Sequence, residues 1–481
     1  MNALDHHRVT VRTAALTAIL AMLSLVWWLG YDPTAAFTTH IPGMDNRPAG
    51  LESSGDGESV RIGEIFDSFD GKPAQLPGSW PRFRGLDLDN ISKNNLSLAE
   101  RWESGMPSPL WRVSLGEGHA APVVSEGRVY LLDYDEARKA DALRCFSLED
   151  GREIWRRSYR VKIKRNHGLS RTIPAVTSRF VVTIGPRCHV MCCDARSGDF
   201  LWGLDLEKEF GTETPFWYTG QCPLIDDSIA VIAPAGEALM IGVDCATGAV
   251  RWKTPNPNRW QMSHSSIMPM RIAGKKMYVY CAVGGMVAVS AEGEDAGAIL
   301  WENSDFDATV IAPSPILLDN GRIFMTAGYG AGAIMLQVRE DHGVFTVEKL
   351  LEYPSSEGPA SEQQTPVYFN GRLYCIQPKD AGILRNQLVC YDPDNLSAPL
   401  WASGKTTRFG LGPFLFADGK IFVLSDDGVL TLLDATAKQY RELAQARVLE
   451  GHDAWGPMAL AGTRLLLRDS REMVCLEVGP R

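Results

Sequence analysis

From residue 122 to the C-terminus the chain repeats itself. A proline followed by an apolar residue, mostly behind a small or polar one, recurs at 122, 174, 223, 269, 315, 366, 413 and 457, each 44 to 52 residues after the last. A unit of that length cannot bury an apolar face alone, so its copies must stack as a solenoid or a propeller. Each unit continues in the same order. A turn leads to an alternating strand ("EGRVYLLD", "NGRIFMTA", "NGRLYCIQ", "DGKIFVLS"). A second strand then ends in an acidic turn with glycine ("FSLEDG", "CCDARSG", "GVDCATG"), and the last carries a central tryptophan ("REIWRR", "DFLWGL", "AVRWKT", "AILWEN", "APLWAS"). Period-two alternation between Gly and Asp turns specifies antiparallel strands. Four strands in about 47 residues make one propeller blade.

The final unit is one strand short, because only three strands fit between Pro457 and Arg481. The missing strand is "PLWRVSL" (109–115), which precedes the first complete unit and carries the same tryptophan. Pairing the two ends closes the ring and removes its open sheet edges. The predicted fold is all-β: an eight-bladed propeller of four-stranded antiparallel blades, with its N- and C-terminal strands sharing one blade. Trp111, Trp155, Trp202, Trp252, Trp301 and Trp401 occupy one position in the blade and are assigned a structural role, packing blade against blade. Blades five and seven lack this residue.

A net charge of −10 argues against nucleic acid, which requires a clustered basic surface. The one basic run, 156–171, reads as a solvated face. Before the propeller, residues 13–31 hold no charge and are long enough to cross a bilayer, with Arg8 and Arg12 ahead of them and Asp32 behind. These flanks predict a short cytoplasmic tail (1–12), a transmembrane anchor (13–31), a linker (32–78) and the propeller (79–481) outside the cytoplasm. The membrane is thus the first partner, through the anchor of a single-pass inner-membrane protein. A cleaved signal with "PTAA" (33–36) as its processing site is the alternative, giving a secreted protein. The ten cysteines fit no disulfide framework, since Cys145, Cys192, Cys390 and Cys475 recur at one strand position, and buried free thiols are expected.

The order strand, "D-x-x-T/S-G", strand, Trp, as in "ALMIGVDCATGAVRWKT" (238–254), resembles the repeat of pyrroloquinoline-quinone (PQQ)-like propellers. The lead-in "SWPRFRGLDLDNIS" (79–92) resembles that of bacterial PQQ-like repeat proteins, with Leu86 where Pro is usual. The resemblance spans roughly 79–481. It implies one of at least three kinds of protein: a quinoprotein dehydrogenase holding PQQ and Ca²⁺ on the ring axis, a cofactor-free protein-binding propeller of the BamB type, or an exported repeat protein with no assigned activity.

The loops before each repeated proline open at one end of the axis. They carry His119, Arg171, Trp217, Gln221, His264, Gln363, Arg408, Asp453 and Trp455, which are the candidate lining of an axial funnel. Arginines suit a carboxylated ligand and aromatics a flat one. No acidic pair stands at a calcium-ligand spacing, no Cys-x-x-Cys-His motif is present, and "CHVMCC" lacks zinc-site spacing. No metal site and no catalytic residue are therefore assigned. "GYGAGA" sits in a strand turn, unlike a nucleotide loop. The expected function is non-catalytic binding of a protein or saccharide partner by a monomeric propeller, with PQQ- and Ca²⁺-dependent oxidation of alcohols or sugars as the alternative.

Overall fold

The computed structural model describes residues 3–30, 60–95, 97–102 and 105–480. The chain divides into two compact units, 1–57 and 58–481. In the first, a helix runs from Ala3 to Gly30, and its stretch Val11–Gly30 is exposed throughout and apolar enough for a membrane span. At 1.5 Å per residue, twenty residues cover about 30 Å, the thickness of a bilayer core.

The second unit is the eight-bladed propeller: eight sheets, each a complete four-stranded antiparallel blade. The inner strands begin at the repeated prolines, running from Val123–Ser125 in blade 1 to Ala459–Ala461 in blade 8. Ser108–Ser114 is the outer strand of blade 8, with Trp111 opposite Cys475, so the two ends close the ring as the missing strand required.

The tryptophan has a reciprocal partner. Trp155, Trp202, Trp252, Trp301, Trp401 and Trp111 stand opposite Cys145, Cys192, Gly242, Ala288, Cys390 and Cys475. A narrow residue on the third strand leaves room for the indole to lie over it and reach the next blade. Blades 5 and 7 lack the large-over-small pair: Met335 stands opposite Leu351 and Leu432 opposite Ala444. Trp111, Trp155 and Trp202 donate across the seam to the carbonyls of Leu148, Arg196 and Cys245 at 3.1, 3.2 and 2.8 Å. The turn glycine they meet has no alternative: at Gly198 (φ 76°) a Cβ would lie 2.6 Å from the Trp155 ring. All ten cysteines are buried and free, and Cys192 and Cys193 point into different seams.

The globular unit starts earlier than the 32–78 linker allowed. Residues 60–78 pass across blade 1, from Phe200 and Gly203 of blade 2 to Gly462 of blade 8, and Ile65–Ser68 adds to blade 1 as a fifth strand beside Glu153–Arg160. Ala74 then donates to Gly127 O at 3.0 Å, beneath the same blade. The Gly, Pro and Asp content of this stretch suits a strap that follows a curved surface as well as it suits a free linker.

The lead-in 79–92 occupies the axis itself. Trp80 exchanges backbone bonds with Val124 of blade 1, Pro81 O accepts from Val176 of blade 2, and Arg82 donates to Ile225 O of blade 3. Arg84 crosses to blade 6, donating to Thr365 O and Pro366 O at 2.9 and 3.0 Å, and also to its own Leu88 and Asp89 carbonyls. Asn90 bonds Phe414 O, and Ile91–Ser92 pairs in parallel with the inner strand of blade 7. Every one of these partners lies on the edge that an inner strand turns to the axis, so the ring has a plug. Leu98 and Ala99 then leave at the turn face, on Asp418 and Val478.

Above the plug, blades 2 to 6 are joined by a relay. Ile173 N donates to Cys222 Sγ, Cys222 N to Ser266 Oγ, Ser266 N to Ser314 Oγ and Ser314 N to Thr365 Oγ1, at 3.3, 3.0, 2.9 and 2.9 Å. The small residues one to three positions ahead of the repeated prolines thus serve as acceptors for the preceding blade.

Candidate functional site

The loops leading into the inner strands converge at the end of the axis opposite the exit of the plug. Five of the nine candidate residues form one chain of contacts there. The Trp455 and His119 rings lie 4.8 Å apart. His119 Nε2 and Arg171 Nη1 share the His167 carbonyl at 3.1 and 3.0 Å. Arg171 Nε donates to Trp217 O at 2.6 Å, and the Trp217 ring faces His264 at 6.4 Å. These residues come from the loops of blades 8, 1, 2, 3 and 4, so only the closed ring assembles them.

The other four do not join the chain. Gln221 is fully buried and spends both amide groups on the backbone of Ala233 in its own blade, at 3.0 and 2.9 Å. Arg408 donates to the carbonyls of Lys405 and Arg385. Asp453 bonds its neighbour His452 at 2.9 Å. Gln363 is half-buried, and it is the next residue, Gln364, that reaches across, donating to Leu411 O and Trp455 O at 3.2 and 2.9 Å. Two more contributors were not in the sequence set. Tyr329, in the turn between the second and third strands of blade 5, stacks on Trp217 at 6.0 Å and 20°. Arg468, fully buried, donates to four carbonyls of blades 8 and 1. The glycines flanking Tyr329 were the available signal, but its partner lies two blades away.

Electrostatically the site is cationic and hydrogen-bonding. Burial lowers Arg171 to about 10, and the same cause brings Arg84 and Arg468 to about 10. His119 is depressed to about 3 and His264 to about 4, first by burial and then by the Arg171 charge, so both rings are neutral at physiological pH. Two carboxylates at the edge of the site carry cations, Glu362 at 3.8 Å from Lys379 and Glu117 paired with Arg165 and Arg471, while Asp426, beside the Asp453 loop, is raised by burial.

Residues for calcium do not fit here. The ion needs six to eight converging oxygens, and among the described residues no three of His, Cys, Asp and Glu gather as a metal-holding group. No step is therefore derived through a quinone and its ion.

A plugged, eight-bladed ring with tryptophan-locked seams is a propeller of the PQQ-like class. The chain belongs to the family described as outer membrane protein assembly factor BamB, whose model matches residues 139–387. Solved structures with the same fold include quinohemoprotein alcohol dehydrogenase from Comamonas testosteroni (12% identity over 84% of this chain and 81% of that one, TM-score 0.58). Europium-containing methanol dehydrogenase aligns over 84% and 90% at 13% identity with a TM-score of 0.57. BamB from Moraxella catarrhalis aligns over 77% and 100% at 13% identity with a TM-score of 0.50. At these identities the likeness is one of fold. No curated protein sequence matches the chain.

Proposed function

We propose that this protein is a non-catalytic binding module, tethered by its N-terminal apolar helix with its propeller outside the cytoplasm, and that it engages a partner protein or saccharide through the loop-lined end of the axis. The observation that carries this reading is the contact chain from Trp455 through His119 and Arg171 to Trp217: aromatic and cationic groups converge without a calcium-type acid set. A rigid ring that presents convergent aromatic and hydrogen-bonding groups at one end of its axis suits the binding of a partner.

The test has two arms. Full-length protein in detergent is titrated with PQQ, with and without Ca²⁺, following tryptophan fluorescence and melting temperature together, since a ligand of the folded state raises the latter. The expected result is no calcium-dependent binding; a rise with Ca²⁺, followed by dye-linked oxidation of an alcohol or sugar, would establish the oxidoreductase instead. In cells, a photo-crosslinker at position 329 should give a discrete adduct that one at position 349, on the outer strand of blade 5, does not. Equal labelling from both positions would remove the funnel as the binding face.

A further inference from the structure

Blade 5 lacks the seam tryptophan and the acidic glycine turn that precedes it elsewhere, and a longer hairpin stands in their place. Its last two strands, Gly332–Asp341 and Val344–Tyr353, hold ten residues each. They are joined by His342 and Gly343 alone, both at left-handed φ (50° and 86°), a two-residue turn that matches the strand twist. The outer strands of blades 2, 3, 4, 7 and 8 hold five to seven residues and that of blade 6 two. The outer strand of blade 1, Glu153–Arg160, holds eight, and the strap strand Ile65–Ser68 already pairs with it antiparallel. The molecule thus adds a strand to one long outer edge by itself. It leaves the longest edge, among the described residues, with no strand beside it. An open edge of this length is a template for a further strand.

The turn also fixes which backbone groups face outward. It makes Asp341 and Val344 a hydrogen-bonded pair, so the alternate pairs Arg339–Thr346 and Gln337–Glu348 are hydrogen-bonded too. Phe345, Val347 and Lys349 therefore turn their N–H and C=O groups to the open side. The side chains of Phe345 and Val347 are half-buried against the core, whereas Val344 and Leu350 are 63% and 44% exposed. Glu348 and Lys349 pair within the hairpin, with Arg339 and Glu352. At Leu350 the register shifts, which ends the regular edge. A second copy of this edge, run antiparallel about a two-fold axis at Val347, sets Phe345 opposite Lys349, Thr346 opposite Glu348 and Val347 opposite itself. The outward backbone groups of all three residues are then paired, no like charges oppose each other, and Val344 of each copy comes beside Leu350 of the other. An axis at Glu348 or Lys349 would set like charges face to face.

We infer that the outer edge of blade 5 is a dimerisation surface whose partner is a second copy of this chain, paired antiparallel through residues 344–350 with Val347 at the two-fold axis. Each copy spends the same edge on the other, so the contact closes as a dimer and does not propagate into a fibre. Pairing along one edge buries less than the roughly 1,200 Å² of a stable interface, so the dimer is reversible. The funnel takes no part, and the contact stands or falls independently of what the funnel binds.

Sedimentation velocity of the full-length protein in detergent, over a concentration series, tests the contact, with Val347→Pro and Val347→Thr beside the unaltered chain. The Val347 N–H points to the open side, so proline removes a donor of the dimer and none of the hairpin's own ladder. The unaltered protein and Val347→Thr should dimerise as concentration rises, and Val347→Pro should weaken association by about tenfold or more. Equal association of all three, or monomer throughout, overturns the contact. Disulfide trapping tests the register, since the ten native cysteines are buried out of reach of a surface disulfide. Thr346 and Glu348 of opposite copies form a close, non-hydrogen-bonded pair. An oxidised mixture of Thr346→Cys and Glu348→Cys chains should therefore yield dimers severalfold faster than either variant alone, and equal rates overturn the pairing. Should Val347→Pro fail to fold, the cysteine comparison decides by itself. A crosslinker at position 349 would also reach Phe345 of the second copy; that product has twice the chain mass and is counted here, apart from any adduct with another molecule.

Discussion

Blades 2 to 6 and blades 7, 8 and 1 solve the same problem in different ways. In the first sector the inner edges are joined by the relay from Ile173 to Thr365, one short side chain per seam. In the second, the corresponding residues before Pro413, Pro457 and Pro122 are Gly412, Gly456 and Ala121, which cannot take part. There the seams are bridged by long side chains: Gln364 reaches blades 7 and 8, and Arg468 ties blade 8 to blade 1. Gly456 is required by this arrangement, since a Cβ would lie 2.9 Å from His119 O and 3.1 Å from Arg468 Cγ. The sector where the chain ends meet has lost the repeat at its inner edge and relies on a few multiply bonded groups. The other sector spreads the same work over many single bonds.

That contrast can be broken most directly at Arg468. Arg468→Met keeps much of the side-chain volume but takes this donor from four carbonyls, of which only Ser470 O retains another in Gly118 N, and should cost about 3 kcal/mol or more. Urea unfolding measures it, and a loss under about 1 kcal/mol would erase the distinction between the sectors. In the relay, Ser314→Ala strands only the Ser266 N–H and should cost about 1 kcal/mol. A loss as large as that at Arg468 would mean the relay fails as a unit.

A finer comparison uses the seam tryptophans. Trp111 bonds Leu148 O, whereas Trp301 Nε1 is buried without a partner in the described residues, facing a blade that lacks the repeated turn. Trp111→Phe should therefore cost about 1 kcal/mol more than Trp301→Phe, by the same unfolding measurement. Equal losses would assign the seam energy to ring packing alone.

The smallest effect expected is on pH dependence. His119 lies in the closing sector and His264 in the relay sector, with folded-state values of about 3 and 4. Both lie below the unfolded value of about 6.5, so their contribution is complete above that pH and is lost as pH falls through 4 and then 3. Asp141, buried in blade 1 with Tyr159 donating to it at 2.7 Å, is raised by burial to about 7. Its contribution has the opposite sign: complete below the unfolded value of about 4, and lost as pH rises through 7. Melting temperatures from pH 4 to 8 should show His264→Gln flattening the acid side and Asp141→Asn the neutral side. If neither substitution alters the profile, the two groups titrate alike in the folded and unfolded chain.

The sequence by itself determined the number of blades, the order of strands within each, the closing strand at 109–115 and the seam position of the tryptophans. Each is a local feature, repeated eight or nearly eight times: a turn requires its glycine, a strand its alternation, and a repeat its period. It also named the loops in which the site lies, and five residues that meet there. What the tertiary structure decided was which residues touch across blades. Gln364 rather than Gln363 turns toward the axis, Tyr329 closes over Trp217, and Gln221 folds back on its own blade. The tertiary structure also placed 79–92 on the axis and 65–68 on blade 1, two segments that lie outside the repeat and carry no period to be read. Arg84 finds Thr365 at a separation of 281 residues. Only closure of the ring, which turns eight inner edges toward one axis, brings that carbonyl within reach.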